Sequence, residues 1–180
     1  MKDKIREEIL TLRKKIPVEL SEEKSDKITE KVLSHPRYQK AGMVFCYVDA
    51  KGEVKTGKII EDAWKTGKKI AVPKVHGDIM EFYLVSTYEQ LEEGCFGIRE
   101  PKDFCERINS VSKDAVVIMP GVAFDRNGNR IGYGKGFYDK YFGNYPEVYK
   151  IAIAYEIQIV DEIFADKYDV KADCVITEKL

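Results

Sequence analysis

The chain opens with apolar residues at helical spacing. Ile5, Ile9, Leu12 and Ile16 recur at intervals of four, three and four, which puts them on one face of an amphipathic helix. Pro17 ends that helix. Ser21 and Ser25 offer N-caps for a second helix that runs to about Leu33, turns Ile28 and Val32 inward, and closes at His35-Pro36. The pattern then changes. Met43 to Val48 is a short apolar run with aromatic and β-branched residues, as in a buried strand. Helical spacing returns through Ile59, Ile60, Ala63 and Trp64, with Gly67 as C-cap. Residues 69–73 predict a strand stopped by Pro73, and residues 80–85 another, antiparallel across the turn His76-Gly77-Asp78. Residues 86–113 are less regular, with an ordered loop expected at Cys95 to Pro101. Ala115 to Pro120 predict the central strand, apolar on both faces as a covered parallel sheet requires. A glycine-rich loop, a short helix from about Phe137, and strands at 150–155 and 174–177 complete the order. Strands alternating with helices imply an α/β fold with a mostly parallel sheet covered on both faces. No repeat, low-complexity tract or linker divides residues 1–180, so one domain is expected.

Composition narrows the chemistry. Thirty Lys and Arg against 31 Asp and Glu leave a net charge of −1, so no global field favours nucleic acid or an anionic membrane. Any anionic ligand must be held by local clusters. No apolar run approaches the ~18 residues that span a bilayer, and the charged start MKDKIREEIL lacks the apolar core of a signal peptide; a cytoplasmic location is expected. Cys46, Cys95, Cys105 and Cys174 are irregularly spaced without a C-x-x-C pair, which reads as free, mostly buried thiols. With only His35 and His76, read at a helix end and a turn, a histidine metal site or a Ser-His triad is not expected.

The chemistry gathers in residues 120–139. Gly132, Gly134 and Gly136 alternate between a buried strand and a helix. Such a loop turns tightly and lets backbone N–H groups approach a phosphate, at the strand ends where α/β proteins bind ligands. Arg130 and Lys135 flank the glycines as cations for phosphate oxygens, and Asp139 stands ready for Mg²⁺. The loop is not a dinucleotide-binding fingerprint, because Phe137 stands where the third glycine belongs. A near match to a P-loop at Gly52 to Ile59 has Ile59 in place of the metal-binding hydroxyl and reads as chance.

Pro-Gly-Val-Ala-Phe-Asp (120–125) followed by Arg-Ile-Gly-Tyr-Gly-Lys-Gly-Phe-Tyr-Asp (130–139) resembles the signature of the 5-formyltetrahydrofolate cyclo-ligase family, also called methenyltetrahydrofolate synthetase. The resemblance extends over nearly the whole chain. Lys2 to Arg6 match the family's opening K-x-x-x-R helix, Tyr47 with Glu53-Val54-Lys55-Thr56 its Y…E-V-x-T segment, Phe96 to Pro101 its F-G-I-x-E-P loop, and Ala172-Asp173 its final acidic position. Ile131 and Phe137 stand where Leu and Tyr are commoner. The resemblance implies a three-layer α/β/α, NagB/RpiA/CoA-transferase-like fold, a monomer, and cyclisation of 5-formyltetrahydrofolate to 5,10-methenyltetrahydrofolate with ATP and Mg²⁺. ADP and phosphate are released. Phosphoryl transfer to the formyl oxygen makes it a leaving group, so the protein must position and neutralise charge more than supply a nucleophile.

By position, the resemblance assigns ATP to Lys2, Asp3, Lys4, Ile5 and Arg6 and to Arg130, Ile131, Gly132, Tyr133, Gly134, Lys135, Gly136, Phe137 and Tyr138. It assigns the folate to Val48 and Glu53 and, within the loop, to Tyr133, Gly134, Lys135, Gly136 and Phe137. Lys135 and Arg130 become the catalytic cations, and Asp139 and Asp173 the Mg²⁺ ligands. Rival readings are a related enzyme acting on another nucleotide substrate and a binding homologue without turnover.

Overall fold

A computed structural model describes residues 1–179. In chain order it runs α1 (Lys2–Lys14), α2 (Val18–Ser34), α3 (Pro36–Lys40), β1 (Met43–Cys46), α4 (Gly57–Lys65), β2 (Lys69–His76), β3 (Ile79–Val85), β4 (Leu91–Glu93) and β5 (Arg99–Pro101). It continues with β6 (Val116–Met119), β7 (Ala123–Phe124), β8 (Arg130–Ile131), α5 (Phe137–Phe142), β9 (Tyr149–Ile153) and β10 (Cys174–Ile176). Six strands form one sheet in the order β10-β9-β6-β1-β2-β3. All its pairs are parallel except β2–β3.

The two-residue period of the strands sorts the core into two layers. Val44, Ile70, Val116, Ile118 and Ile151 face α2, α3 and α4 through Ile28, Val32, Tyr38, Ile59 and Ala63. Phe45, Ala71, Val117, Met119 and Ala152 face the other way, against Phe142 of α5 and Phe82 of β3. Helices thus cover both faces, giving three layers. A smaller apolar patch seats α1 on the β7–β8 hairpin, through Ile9 against Val122, Ala123 and Ile131. At one edge of the sheet, the segment after β5 bonds β3: Leu84 N–H donates to the Glu106 carbonyl and Ile108 N–H to the Phe82 carbonyl, both at 2.8 Å.

Three boundaries differ from the sequence expectation. Helix α2 begins at Val18 with Pro17 itself as the extended N-cap residue, so Ser21 and Ser25 lie inside it. There Ser21 Oγ bonds the Val18 carbonyl and Ser25 Oγ pairs with the Tyr155 hydroxyl. His35-Pro36 closes α2 and also starts α3: the His35 ring accepts from Arg37 N–H, and Pro36 supplies the fixed first turn. Strand β2 runs through Pro73 to His76 because β1 pairs with it only as far as Ala71. Beyond Ala71 one side of β2 needs no N–H, and proline is tolerated there.

Candidate active site

The carboxyl ends of the parallel strands open on a groove of about 630 Å³, where open α/β sheets place their ligands. Strand β6 leads into the β7–β8 hairpin, whose Arg130 and Ile131 line the groove. Asp125 is fully buried there. Its Oδ1 accepts the N–H groups of Asn127 (3.0 Å) and Asn129 (2.9 Å), and its Oδ2 accepts Asn129 Nδ2 and Ile163 N–H, both at 2.9 Å. Burial alone would raise this carboxyl's pKa, but the accepted hydrogen bonds outweigh it and hold it below the ordinary aspartate value. The turn sends β8 back under the groove and feeds the glycine loop into α5. Gly134 and Gly136 hold φ of 99° and 69°, values L side chains rarely adopt.

Arg130 lies beneath this loop, at the buried side of the groove that it helps to line. Its side chain is 5% exposed; Nη1 donates to the Pro120 carbonyl at 3.2 Å and Nη2 to Asp139 Oδ1 at 3.4 Å. The Tyr138 ring lies over it at 5.6 Å. Nη1 and Nη2 thus hold the scaffold, while Nε is buried without a hydrogen-bond partner among the described residues. Lys135 is exposed on the loop, with no ion pair among the described residues. Lys2 reaches the same end of the groove and pairs with Asp169 (2.7 Å) and Asp166 (2.9 Å), which raise its pKa. Arg6 Nε donates to the Gly132 carbonyl at 2.8 Å and its guanidinium pairs with Asp3.

The opposite end is aromatic and apolar around Glu53. Glu53 is half-buried, and burial raises its carboxyl pKa. Its Oε1 accepts Ala50 N–H at 2.9 Å and its Oε2 the Tyr133 hydroxyl at 3.2 Å. Burial and the nearby Glu53 charge push the Tyr133 hydroxyl up to about 12. Val48, Pro73, Val75, Met80, Phe96 and Ile98 form the surrounding wall. Cys95 is exposed beside Phe96, whereas Cys46 and Cys105 are buried.

The groove thus gathers Lys2, Arg6, Val48, Glu53, Asp139 and the whole loop from Arg130 to Tyr138. It leaves out Asp3 and Lys4, which point to solvent, and Ile5, which packs on the hairpin patch. Asp173 is also apart. It precedes β10, at the amino ends of the strands, where its carboxylate accepts Lys150 N–H at 2.8 Å and pins β10 to β9. The structure thus places Asp173 outside the groove that Asp139 lines, in a contact between two strands. Arg13, Asp166 and Asp169 were not foreseen. Arg13 had a signal: Lys2, Arg6 and Arg13 are spaced by four and seven, one stripe of α1. Asp166 and Asp169 reach the groove only through the tertiary fold. Glu100, whose part was unassigned, lines the groove with its carboxyl lying across the bare Cα of Gly94.

Comparison with known proteins gives one consistent result. Residues 1–178 match the sequence pattern of the 5-formyltetrahydrofolate cyclo-ligase family. A mouse (Mus musculus) 5-formyltetrahydrofolate cyclo-ligase is 31% identical over 163 residues, covering 84% of this chain and 80% of the relative. The Escherichia coli K12 5-formyltetrahydrofolate cyclo-ligase is 28% identical over 172 residues, covering 92% and 93%. The solved structure of Aquifex aeolicus 5,10-methenyltetrahydrofolate synthetase superposes with a TM-score of 0.87 at 33% identity, covering 99% of this chain and 90% of that one.

Proposed function

The chain belongs to the 5-formyltetrahydrofolate cyclo-ligase family, and from that premise we propose that its groove binds ATP and 5-formyltetrahydrofolate end to end. The enzyme is an ATP-dependent ligase that converts 5-formyltetrahydrofolate to 5,10-methenyltetrahydrofolate. One observation carries the assignment of the groove: a single cavity joins an end bearing Lys2, Arg6 and Lys135 (unpaired among the described residues), where Asp166 and Asp169 hold Lys2, to an aromatic end bearing Glu53 and Tyr133. The first suits phosphates and the second a pterin, whose amino and ring N–H groups donate to a carboxylate.

The glycine loop lies between the two ends, so the γ-phosphoryl group meets the formyl oxygen there. The oxygen takes the phosphoryl group and ADP leaves. The neighbouring folate nitrogen then attacks the activated carbon and loses its proton, and the C–O bond breaks to release phosphate. Lys135, free of protein partners among the described residues, supplies the charge that follows the phosphoryl group. Arg130 acts as a positioning residue beneath the loop, and Gly134 and Gly136 keep bulk away from the transfer.

Asp139 fits a role with Mg²⁺. Its carboxylate lines the groove and is 24% exposed. Oδ1 already takes Val170 N–H at 2.8 Å and the Arg130 guanidinium, which leaves Oδ2. No group of three His, Cys, Asp or Glu residues suited to a metal ion occurs among the described residues. One carboxylate plus substrate phosphates is a donor set Mg²⁺ accepts while keeping its waters, and the ion would neutralise phosphate charge. In this reading the enzyme acts as a monomer in the cytoplasm, on small molecules and without nucleic acid or membrane. No helix among the described residues is long and apolar enough to cross a membrane.

The test is spectrophotometric. Purified protein with ATP, Mg²⁺ and 5-formyltetrahydrofolate should produce the near-ultraviolet absorbance of the methenyl product, and omission of ATP should abolish it. Protein that binds neither ATP nor the folate would refute the assignment of the groove.

A further inference from the structure

Arg13 is the least explained side chain of the groove. It is 6% exposed and yet lines the cavity. Nη2 donates to the Lys51 carbonyl at 3.1 Å, but Nη1 is buried with no hydrogen-bond partner. A buried guanidinium donor left unpaired is costly, and such groups are rare enough to need an explanation. Arg13 lies 5.7 Å from the centre of the Tyr133 ring, and the Tyr133 hydroxyl donates to Glu53 Oε2. A strong donor and a strong acceptor therefore stand together beneath one tyrosine. That tyrosine is 48% exposed, on a loop with glycine on either side.

We propose that Arg13 is a specificity-determining residue that donates to the 4-oxo group of the pterin while Glu53 accepts from the neighbouring ring N–H and amino group. The proposal rests on the folate reading of the groove and adds a residue and a selectivity to it. The edge of a 4-oxopterin presents an acceptor followed by two donors, complementary to guanidinium followed by carboxylate. In the ligand-free protein the Tyr133 hydroxyl occupies this position. A 4-amino pterin presents a donor where the oxygen was, facing a cation that has no acceptor to offer. Recognition by a buried polar group rejects such an analogue far better than shape alone. The placement also gives α1 a single logic: Lys2 and Arg6 serve the phosphate end, and Arg13, on the same stripe, the folate end.

The experiment is calorimetric titration of wild-type protein, Arg13→Met and Arg13→Gln with folic acid and aminopterin, which differ at position 4 by oxo against amino. ATP is titrated in parallel. Wild type should favour folic acid. Arg13→Met should lose roughly tenfold to a hundredfold in affinity for folic acid, the range of a charged hydrogen bond, and less than about threefold for aminopterin. Arg13→Gln, whose amide accepts as well as donates, should move the preference toward aminopterin, and it carries the test if Arg13→Met does not fold. ATP affinity should stay within about twofold in each. Equal losses for both pterins, an unchanged preference, or a wild type that prefers aminopterin would overturn the proposal and leave Arg13 as a support for Tyr133 and Lys51. A wild type that binds ATP but neither folic acid, aminopterin nor 5-formyltetrahydrofolate would sink the folate reading itself, and Arg13's role with it.

Discussion

Replacing Asp125 with alanine tests whether the turn before the glycine loop is held by one buried carboxylate. The side chain is fully buried and accepts four hydrogen bonds, three of them from backbone N–H groups. Asn127 is exposed and its N–H can turn to water, whereas Ile163 is buried and Asn129 half-buried. Each buried donor left unsatisfied costs about 1–3 kcal/mol, so the loss should be about 3–5 kcal/mol once the severed network is included. For a chain of this size that corresponds to a fall in Tm of roughly 10 °C. Acidity supplies a second, independent mark. A carboxyl whose folded pKa is depressed contributes stability that is complete above its unfolded pKa, about 3.9, and is lost as pH falls through the folded value. Calorimetric melting should give a gap between wild type and Asp125→Ala that is constant from about pH 8 to pH 5 and narrows below about pH 4. A gap under ~3 °C, or one undiminished in acid, would refute the reasoning.

Other substitutions separate the roles within the groove. Lys135→Ala should lower kcat by roughly a hundredfold and raise the folate Kd by less than about threefold, as steady-state kinetics and binding together would show; equal effects on both would remove its assigned part in phosphoryl transfer. Glu53→Gln keeps an acceptor but loses the charge, and should weaken folate binding about tenfold while leaving ATP affinity unchanged by calorimetry. Asp173→Asn should cost about 1–2 kcal/mol in urea unfolding and leave the Mg²⁺ dependence of turnover unaltered. Asp139→Asn should instead raise the Mg²⁺ concentration needed for half-maximal rate.

Strands and helices were legible where local pattern and tertiary demand agree. Val116 to Met119 are buried on both faces because β6 lies inside a parallel sheet, and the unbroken apolar run announced it. Pro73 misled because a strand's tolerance for proline depends on where its neighbour stops, and no local sequence pattern records that Ala71 is the last residue paired with β1. The glycine loop was legible through residue types that few other local structures need. Arg130 and Asp173 belong to motifs whose geometry the sequence leaves open: a cation beside a phosphate loop can face either the ligand or the frame. Here the Pro120 carbonyl and Asp139 hold two of its three nitrogens. Arg13 was hidden in a helix crowded with charge, where only its phase separates it from solvated neighbours such as Lys14 and Lys15.

The segment bonded along β3 bears on how the molecule meets its own copies. An uncovered outer strand offers a ladder of N–H and C=O groups to any passing chain, and natural sheets blunt such edges. Here Glu106 and Ile108 already take up the bonding positions at Phe82 and Leu84, and Tyr83 bridges to Arg107. At the other margin β10 is only three residues long, too short a template for a stable added strand. One margin of the sheet is thus already occupied and the other too short to template a strand, so neither invites the sheet of a second copy to continue it.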